Sequence, residues 1–234
     1  RLWRSTCRRA LQKSSMSASP DPSVFDAGCS RCARLSDFLA QVRAEYPEYY
    51  ARPVPAFGDP QARLLIVGLA PGMHGANRTG RPFTGDFAGI LLYRTLYDCG
   101  FASQPESMSA DDGLVLKRCR ITNAVKCLPP QNKPVGAEIK SCNAFLRAEL
   151  ATVPAGGLVL ALGKIAHDAV LPQLVQPLDQ GVLVAIGGLL QDRDGKGPAD
   201  GRRQPGQFTS AEAMSRLAAK QHLALITPQQ SDHA

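Results

Sequence analysis

The sequence lacks any apolar run near the roughly 20 residues that a membrane-spanning helix requires. It also has no segment that resembles a secretory signal peptide, so its seven cysteines are expected in a reducing compartment. Neither the Gly-Lys-Ser/Thr of a phosphate-binding P-loop nor the glycine spacing of a dinucleotide-binding fingerprint is present. These absences argue against a membrane span, against structural disulfides and against a nucleotide cofactor.

Acidic residues are fewer than basic ones. Against 27 Lys and Arg there are 20 Asp and Glu, which gives a net charge of +7. This balance favours a polyanionic partner such as DNA, although a solvated basic surface has the same composition. With 234 residues, of which 44% are hydrophobic, the chain is long enough for one α/β domain with a core of its own.

Short apolar runs alternate with helical patterns along most of the chain. Strands are predicted at residues 63–69, 120–125, 157–163 and 181–187, and helices at residues 34–50, 87–99, 135–151 and 165–174. In the second helix, Ile90, Leu91, Arg94 and Leu96 recur at near-helical spacing. The alternation predicts an α/β fold with three αβα layers around a central, mostly parallel sheet of about four strands.

The composition also suggests where the domain ends. Residues 1–24 are expected to be a basic extension, either disordered or introduced by cloning, and residues 25–188 the αβα domain. Residues 189–234 differ in composition from the preceding chain, being rich in Gly, Arg and Gln, and are expected to be divergent and loosely ordered. Either genuine divergence or a shifted reading frame would produce this change.

Four of the cysteines have a spacing typical of a metal centre. Cys29 and Cys32 form a Cys-x-x-Cys pair, and Cys127 and Cys142 follow at a distance. A close pair with two distant partners makes a closed set of four thiolates, which suits either zinc or a [4Fe–4S] cluster. Four unrelated buried cysteines are the alternative.

A Gly- and Pro-rich loop follows the first predicted strand and covers residues 68–86. Its glycines let the backbone turn tightly and approach a ligand, and successive N–H groups in such a loop can cradle an anion. Ligands of parallel α/β sheets lie beyond the carboxyl ends of the strands, which is where this loop falls. A long turn without a ligand is the alternative.

This loop, together with residues 52–60, 123–134 and 160–166, resembles the motifs of the uracil-DNA glycosylase superfamily. The similarity is to its iron–sulfur type B, also called family five, and runs from about Cys29 to Leu174. The resemblance implies a three-layer αβα fold and a [4Fe–4S] cluster on the four cysteines, with zinc as the alternative. It also implies base-excision repair, in which uracil or a related deaminated base is removed from DNA.

An enzyme acting on a base in a duplex must extrude that base into a pocket. The expected base-binding residues are an aromatic ring for stacking, an amide that reads the pyrimidine edge and the backbone of the loop: Gly68, Leu69, Ala70, Gly72, Phe83 and Asn123. The family position at Gly72 carries an acid or amide in other branches, so Asp86 is the candidate catalytic carboxylate. Asn132 and His74 are the further catalytic candidates. Asp86 also stands where a helix N-cap belongs.

Basic residues of the same segments are candidates for phosphate contacts: Arg78, Arg81 and Lys133, with Lys126 beside them. The expected partner is DNA containing uracil, acted on by a monomer in the cytoplasm at the nucleoid. The family's late histidine motif has no match after Leu174. A catalytically impaired DNA-binding homologue, or a zinc protein that binds nucleic acid, is therefore the alternative.

Overall fold

A computed structural model describes residues 24–173 and 183–187, the latter as backbone. Its strands are β1 (Phe57–Gly58), β2 (Leu64–Gly68), β3 (Cys119–Asn123), β4 (Leu158–Leu162) and β5 (Leu183–Gly187). They form one sheet in the order β1-β3-β2-β4-β5. β3, β2, β4 and β5 are parallel, and β1 pairs antiparallel with β3 at the edge. The prediction of a mostly parallel sheet is confirmed, with the two-residue β1 as an addition.

The helices cover both faces of this sheet. They are α1 (Ala33–Glu45), the single turn α2 (Ala76–Thr79), α3 (Phe87–Asp98), α4 (Gly136–Ala151) and α5 (Lys164–Val170). Along β2, Leu64 and Ile66 pack with α3, whereas Leu65 and Val67 pack with α4 and α5. Successive side chains of a strand point to opposite faces, so an unbroken apolar run is what a strand covered on both sides requires. The three-layer αβα architecture follows.

One helix prediction needs correction, and the structure defines the buried face of a second helix. The helix predicted over residues 34–50 ends at Glu45, because Tyr46 precedes Pro47 and leaves the helical region at φ −128°. In α3 the buried stripe is Gly89, Leu92, Tyr93 and Leu96. Ile90 and Leu91, which the near-helical spacing had grouped with Leu96, are exposed. The i, i+3, i+4, i+7 stripe that starts at position 89 places them on the outer face.

No helix in the described part of the chain is long and apolar enough to cross a membrane. Residues 1–23 and 188–234 lie outside the described residues. The predicted domain limits therefore stay predictions.

Candidate active site

The carboxyl ends of β2 and β3 bring an aromatic ring and an amide together. Gly68 ends β2 and pairs in register with Asn123, which ends β3. A Cβ built on Gly68 would lie 2.5 Å from Asn123 Oδ1 and 2.6 Å from Phe83 Cζ. Only glycine leaves room for both groups here. The Phe83 ring and the Asn123 amide therefore both approach Gly68 from the side where a side chain would stand, so the structure brings these two predicted residues together.

The backbone that follows Gly68 stays attached to the neighbouring strand. Ala124 N donates to Gly68 O at 2.9 Å, and Val125 N donates to Leu69 O at 3.0 Å. These bonds occupy carbonyl groups and leave the amides further along the loop available. Within the described residues, the N–H groups of Gly72 and Met73 donate to no protein acceptor. The loop thus presents N–H donors at Gly72 and Met73 that no described residue of the protein occupies.

Phe83 is held in an uncommon backbone conformation. Its φ is +55°, a left-handed value that is costly for a bulky residue and that marks sites where the surroundings fix the chain. On one side, the Tyr93 hydroxyl donates to Pro82 O at 2.8 Å from inside the core. On the other, a Cβ on Gly89 would overlap the Phe83 carbonyl oxygen, so the first turn of α3 lies directly against this peptide. The ring is consequently a fixed wall.

Asp86 is the N-cap of α3 and faces the glycine-rich loop. Its Oδ1 accepts a hydrogen bond from Gly89 N at 2.8 Å. Its Oδ2 would lie 2.6 Å from a Cβ on Gly75 and 3.8 Å from one on Gly72. Burial raises the pKa of this carboxyl above its ordinary value, and the Gly89 hydrogen bond opposes that rise. The acid is both a cap and a partly desolvated carboxylate directed at the loop.

His74 projects from the loop with tyrosine support. Its Nδ1 lies 2.8 Å from the Tyr49 hydroxyl, and the rings of Tyr46 and Tyr49 meet it edge-on with centroids 6.1 and 6.0 Å away. When Tyr49 donates this bond, the proton of neutral His74 lies on Nε2, which is then free to donate to a ligand. Tyr49 escaped the sequence reading because residues 46–50 had been placed in a helix.

Two predicted phosphate contacts are wrong. Arg81 is only 5% exposed, and its guanidinium is bonded to Asp112 Oδ1 at 2.7 Å and Ser107 Oγ at 3.1 Å while lying over the Phe57 ring. Lys126 is 1% exposed and pairs with Glu149 at 2.7 Å. Buried charges require partners within the protein, so both cations serve the fold. Two adjacent acids stand at 111–112, but the sequence alone does not show that one of them pairs with Arg81.

Other predicted residues remain open to solvent. Arg78 is exposed and donates through Nε to His74 O at 2.7 Å. Asn132 and Lys133 are exposed on the loop after β3, and Asn132 has a left-handed φ of +55°. Arg34 donates to Lys133 O at 3.1 Å and ties this loop to α1. These three polar side chains are accessible to a ligand that enters the site.

The four cysteines of the motif share one cluster. Cys127 and Cys142 are buried in it, with Cys29 and Cys32 packed against them, and all four are free thiols. Burial, reinforced by the charges of the other three, raises the pKa of Cys127 to about 12. No group of three or more metal-binding side chains in the described residues is spaced to hold one metal ion as it stands. In number and type, the four thiols of this cluster match the donor set of a four-thiolate centre.

Fold and site together define a doubly wound α/β protein whose ligand site lies at the carboxyl edge of a parallel sheet. The model of the Uracil DNA glycosylase superfamily matches residues 55–230, which includes the segment predicted to be divergent. The chain belongs to this superfamily and, within it, to family five.

Individual relatives agree with this assignment. A type-5 uracil-DNA glycosylase of Thermus thermophilus is 48% identical over 61% of this chain and 67% of its own length. One from Pyrobaculum aerophilum is 46% identical over 61% of this chain and 65% of its own length. A type-4 uracil-DNA glycosylase of Sulfurisphaera tokodaii is 34% identical over 44% and 41% respectively. The chain thus spans about two thirds of the length of these two type-5 relatives.

Proposed function

We propose that this protein is a DNA repair glycosylase that hydrolyses the bond between uracil, or a related deaminated base, and its deoxyribose. The observation that carries the proposal is that the Phe83 ring and the Asn123 amide meet at the space beside Gly68 that only a glycine leaves free. The names of the type-5 relatives support the same substrate.

Phe83, Asn123 and the backbone of the glycine-rich loop form the proposed base-binding slot, and each of them has its own chemical task. The Phe83 ring stacks on the extruded pyrimidine, while the Asn123 amide supplies one donor and one acceptor for the uracil edge. Gly68, Leu69, Ala70 and Gly72 form the backbone side of the slot. A thymine methyl or a cytosine amino group would meet the wrong partner or a steric wall, which is how such a slot selects its base.

The bond that breaks joins uracil N1 to C1′ of the sugar. Its electron pair leaves with the base, and free loop amides such as that of Gly72 stabilise the resulting negative charge. Water then adds to C1′ and loses a proton. Asp86 orients this water, takes its proton and offsets the positive charge of the sugar, a role that needs the ionised carboxylate. Asn132 holds this water or contacts the sugar, and His74 donates to the base or to a phosphate.

We assign Cys29, Cys32, Cys127 and Cys142 to a [4Fe–4S] cluster, with zinc as the competing occupant. Four buried or half-buried thiols in one cluster, none in a disulfide, support a thiolate-bound centre. When bound, it supplies cross-linking of the N-terminal segment to the loop after β3. Iron, sulfide and zinc analysis of purified protein decides the occupant, since four irons with four sulfides support the cluster and stoichiometric zinc refutes it.

The basic chain acts on uracil-containing DNA at the nucleoid, as a monomer. The test is release of free uracil from a labelled duplex carrying one U·G pair, followed under single-turnover conditions. We expect the wild type to release the base and Asn123→Ala to lose most of this activity while keeping DNA affinity. Intact DNA binding without release at any enzyme excess would refute the enzyme and support a DNA-binding homologue.

A further inference from the structure

A cavity lies beside Asp86, apart from the base-binding slot that is proposed at Phe83 and Asn123. Its volume is about 450 Å³, and it is lined by side chains of α3, of the glycine-rich loop and of residues 106–108: Arg78, Gly85, Asp86, Phe87, Ile90, Glu106, Ser107 and Met108. The volume falls in the range of roughly 300–1,000 Å³ that is usual for small-molecule sites. None of its apolar members contributes to the core.

The apolar side chains of this cavity are unusually accessible. Phe87 is 73% exposed, Ile90 66% and Met108 65%. Phe87 and Ile90 are three residues apart, so they share one face of α3. A group of large exposed apolar residues in one place marks a binding surface more often than an accident of folding.

Hydrogen bonds within the protein hold one side of this cavity. Gly85 N donates to Ser107 O at 3.3 Å, and Met108 N donates to Asp112 Oδ2 at 2.9 Å. The Thr84 and Ser107 hydroxyls are 2.7 Å apart in the buried layer beneath. These bonds fix the backbone of residues 106–108, so this side of the cavity is in place before any ligand arrives.

We propose that this cavity, here named the flank pocket, binds the nucleotide next to the extruded one through its base and sugar. The inference rests on the proposed function. Asp86 lines the flank pocket and also lies against the glycines of the glycine-rich loop. When the sugar of the extruded nucleotide lies at Asp86, the next nucleotide of the same DNA strand is therefore within reach of Phe87.

The chemistry of the pocket selects the part of the nucleotide that enters. Extrusion of one base leaves the adjacent base face unstacked, and apolar side chains such as Phe, Ile and Met cover such faces in DNA complexes. Glu106 disfavours a phosphate beside it, whereas Arg78, an exposed residue that also lines the pocket, suits the phosphate that links the two nucleotides. The occupant is therefore the neutral base and sugar.

Phe87→Ala tests the proposal, with Phe87→Leu as the conservative variant and Leu91→Ala as the control. Leu91 is exposed on the same helix but does not line the pocket. Single-turnover uracil release is measured on a single-stranded oligonucleotide and on two versions that carry an abasic spacer on either side of the uracil. Thermal melting checks that each full-length variant is folded.

Stacking of a base on an aromatic ring predicts a loss of about 5- to 100-fold for Phe87→Ala on the normal strand. Phe87→Leu should recover part of this loss, and Leu91→Ala should change the rate less than 2-fold. With the spacer on the contacted side, Phe87→Ala and wild type should become equal, because the contacted base is gone. An equal loss on every substrate, or no loss, overturns the proposal.

A binding measurement separates this proposal from the proposed function. The fluorescent base 2-aminopurine replaces the neighbour of a uracil whose sugar resists cleavage. Wild type should change its emission on binding, and Phe87→Ala should not. This readout holds even if no uracil is released, whereas failure of release by wild type alone refutes the enzyme. If Phe87→Ala alters only self-association, the face serves a protein contact and the flank pocket is refuted.

Discussion

Asp86 can be tested in a way that separates its two roles, because asparagine caps a helix as well as aspartate does. Asp86→Asn keeps the hydrogen bond to Gly89 N that now measures 2.8 Å. It removes only the carboxylate that faces Gly72 and Gly75. Asp86→Ala removes both. The pair of variants therefore distinguishes the cap from the catalytic group.

The expected magnitudes differ in kind. A positioned general base contributes about 10²–10⁴-fold, so Asp86→Asn should slow uracil release by that factor at neutral pH. Loss of the cap should cost Asp86→Ala about 1 kcal/mol of folding free energy relative to Asp86→Asn. Single-turnover release and denaturant unfolding measure the two quantities. Asp86→Asn with wild-type rates would refute the catalytic role and leave Asp86 a structural cap.

The raised pKa of Asp86 adds a pH signature. Because the carboxylate is the active form, release by wild type should fall as the pH drops through a pKa above that of an ordinary aspartate. Asp86→Asn should lack this limb. The raised pKa has the opposite effect on folding stability. A carboxyl whose pKa is higher in the folded than in the unfolded protein destabilises the fold at neutral pH, and this destabilisation disappears in acid, where the carboxyl is protonated. Asp86→Asn should consequently be at least as stable as wild type at pH 7.

Three further variants address the frame of the site. Gly89→Ala pushes a Cβ onto the Phe83 carbonyl and should displace the ring, with loss of uracil release and about 1–3 kcal/mol of stability. Lys126→Met leaves Glu149 buried without its cation and should cost about 3–5 kcal/mol in denaturant unfolding, which changing Glu149 to Leu as well should largely restore. Arg78→Ala should lower the salt dependence of DNA binding by about one unit of log–log slope.

Matched variants control these measurements. Gly136→Ala, in α4, adds a Cβ that meets nothing within 4 Å and should leave release unchanged. Arg94→Ala removes a cation of α3 whose side chain is 64% exposed and paired with Asp98, so the salt slope should stay at its wild-type value. A Gly89→Ala protein with full activity would contradict the fixed position of Phe83. Equal slopes for the two arginine variants would argue against a phosphate at Arg78.

The sequence by itself determined the layers of the fold and the position of the site. Unbroken apolar runs such as that of β2 are required of strands covered on both faces, so four parallel strands were predictable within one or two residues. The glycine-rich loop follows β2 and Asn123 ends β3, and the register of a parallel sheet places such ends side by side. The grouping of the Cys-x-x-Cys pair with its two distant partner cysteines was likewise predictable from their spacing.

Only the tertiary structure decided which charges and apolar groups meet solvent. Arg81 and Lys126 look like phosphate contacts in a basic segment, yet each is neutralised by an acid at least 20 residues away in sequence. Ile90 and Leu96 belong to the same near-helical apolar pattern of α3, and only packing decided that Leu96 is buried and Ile90 exposed. Burial and ion pairing depend on contacts between distant segments. A local pattern carries no record of those contacts, whereas it does carry the period that makes a strand or a helix.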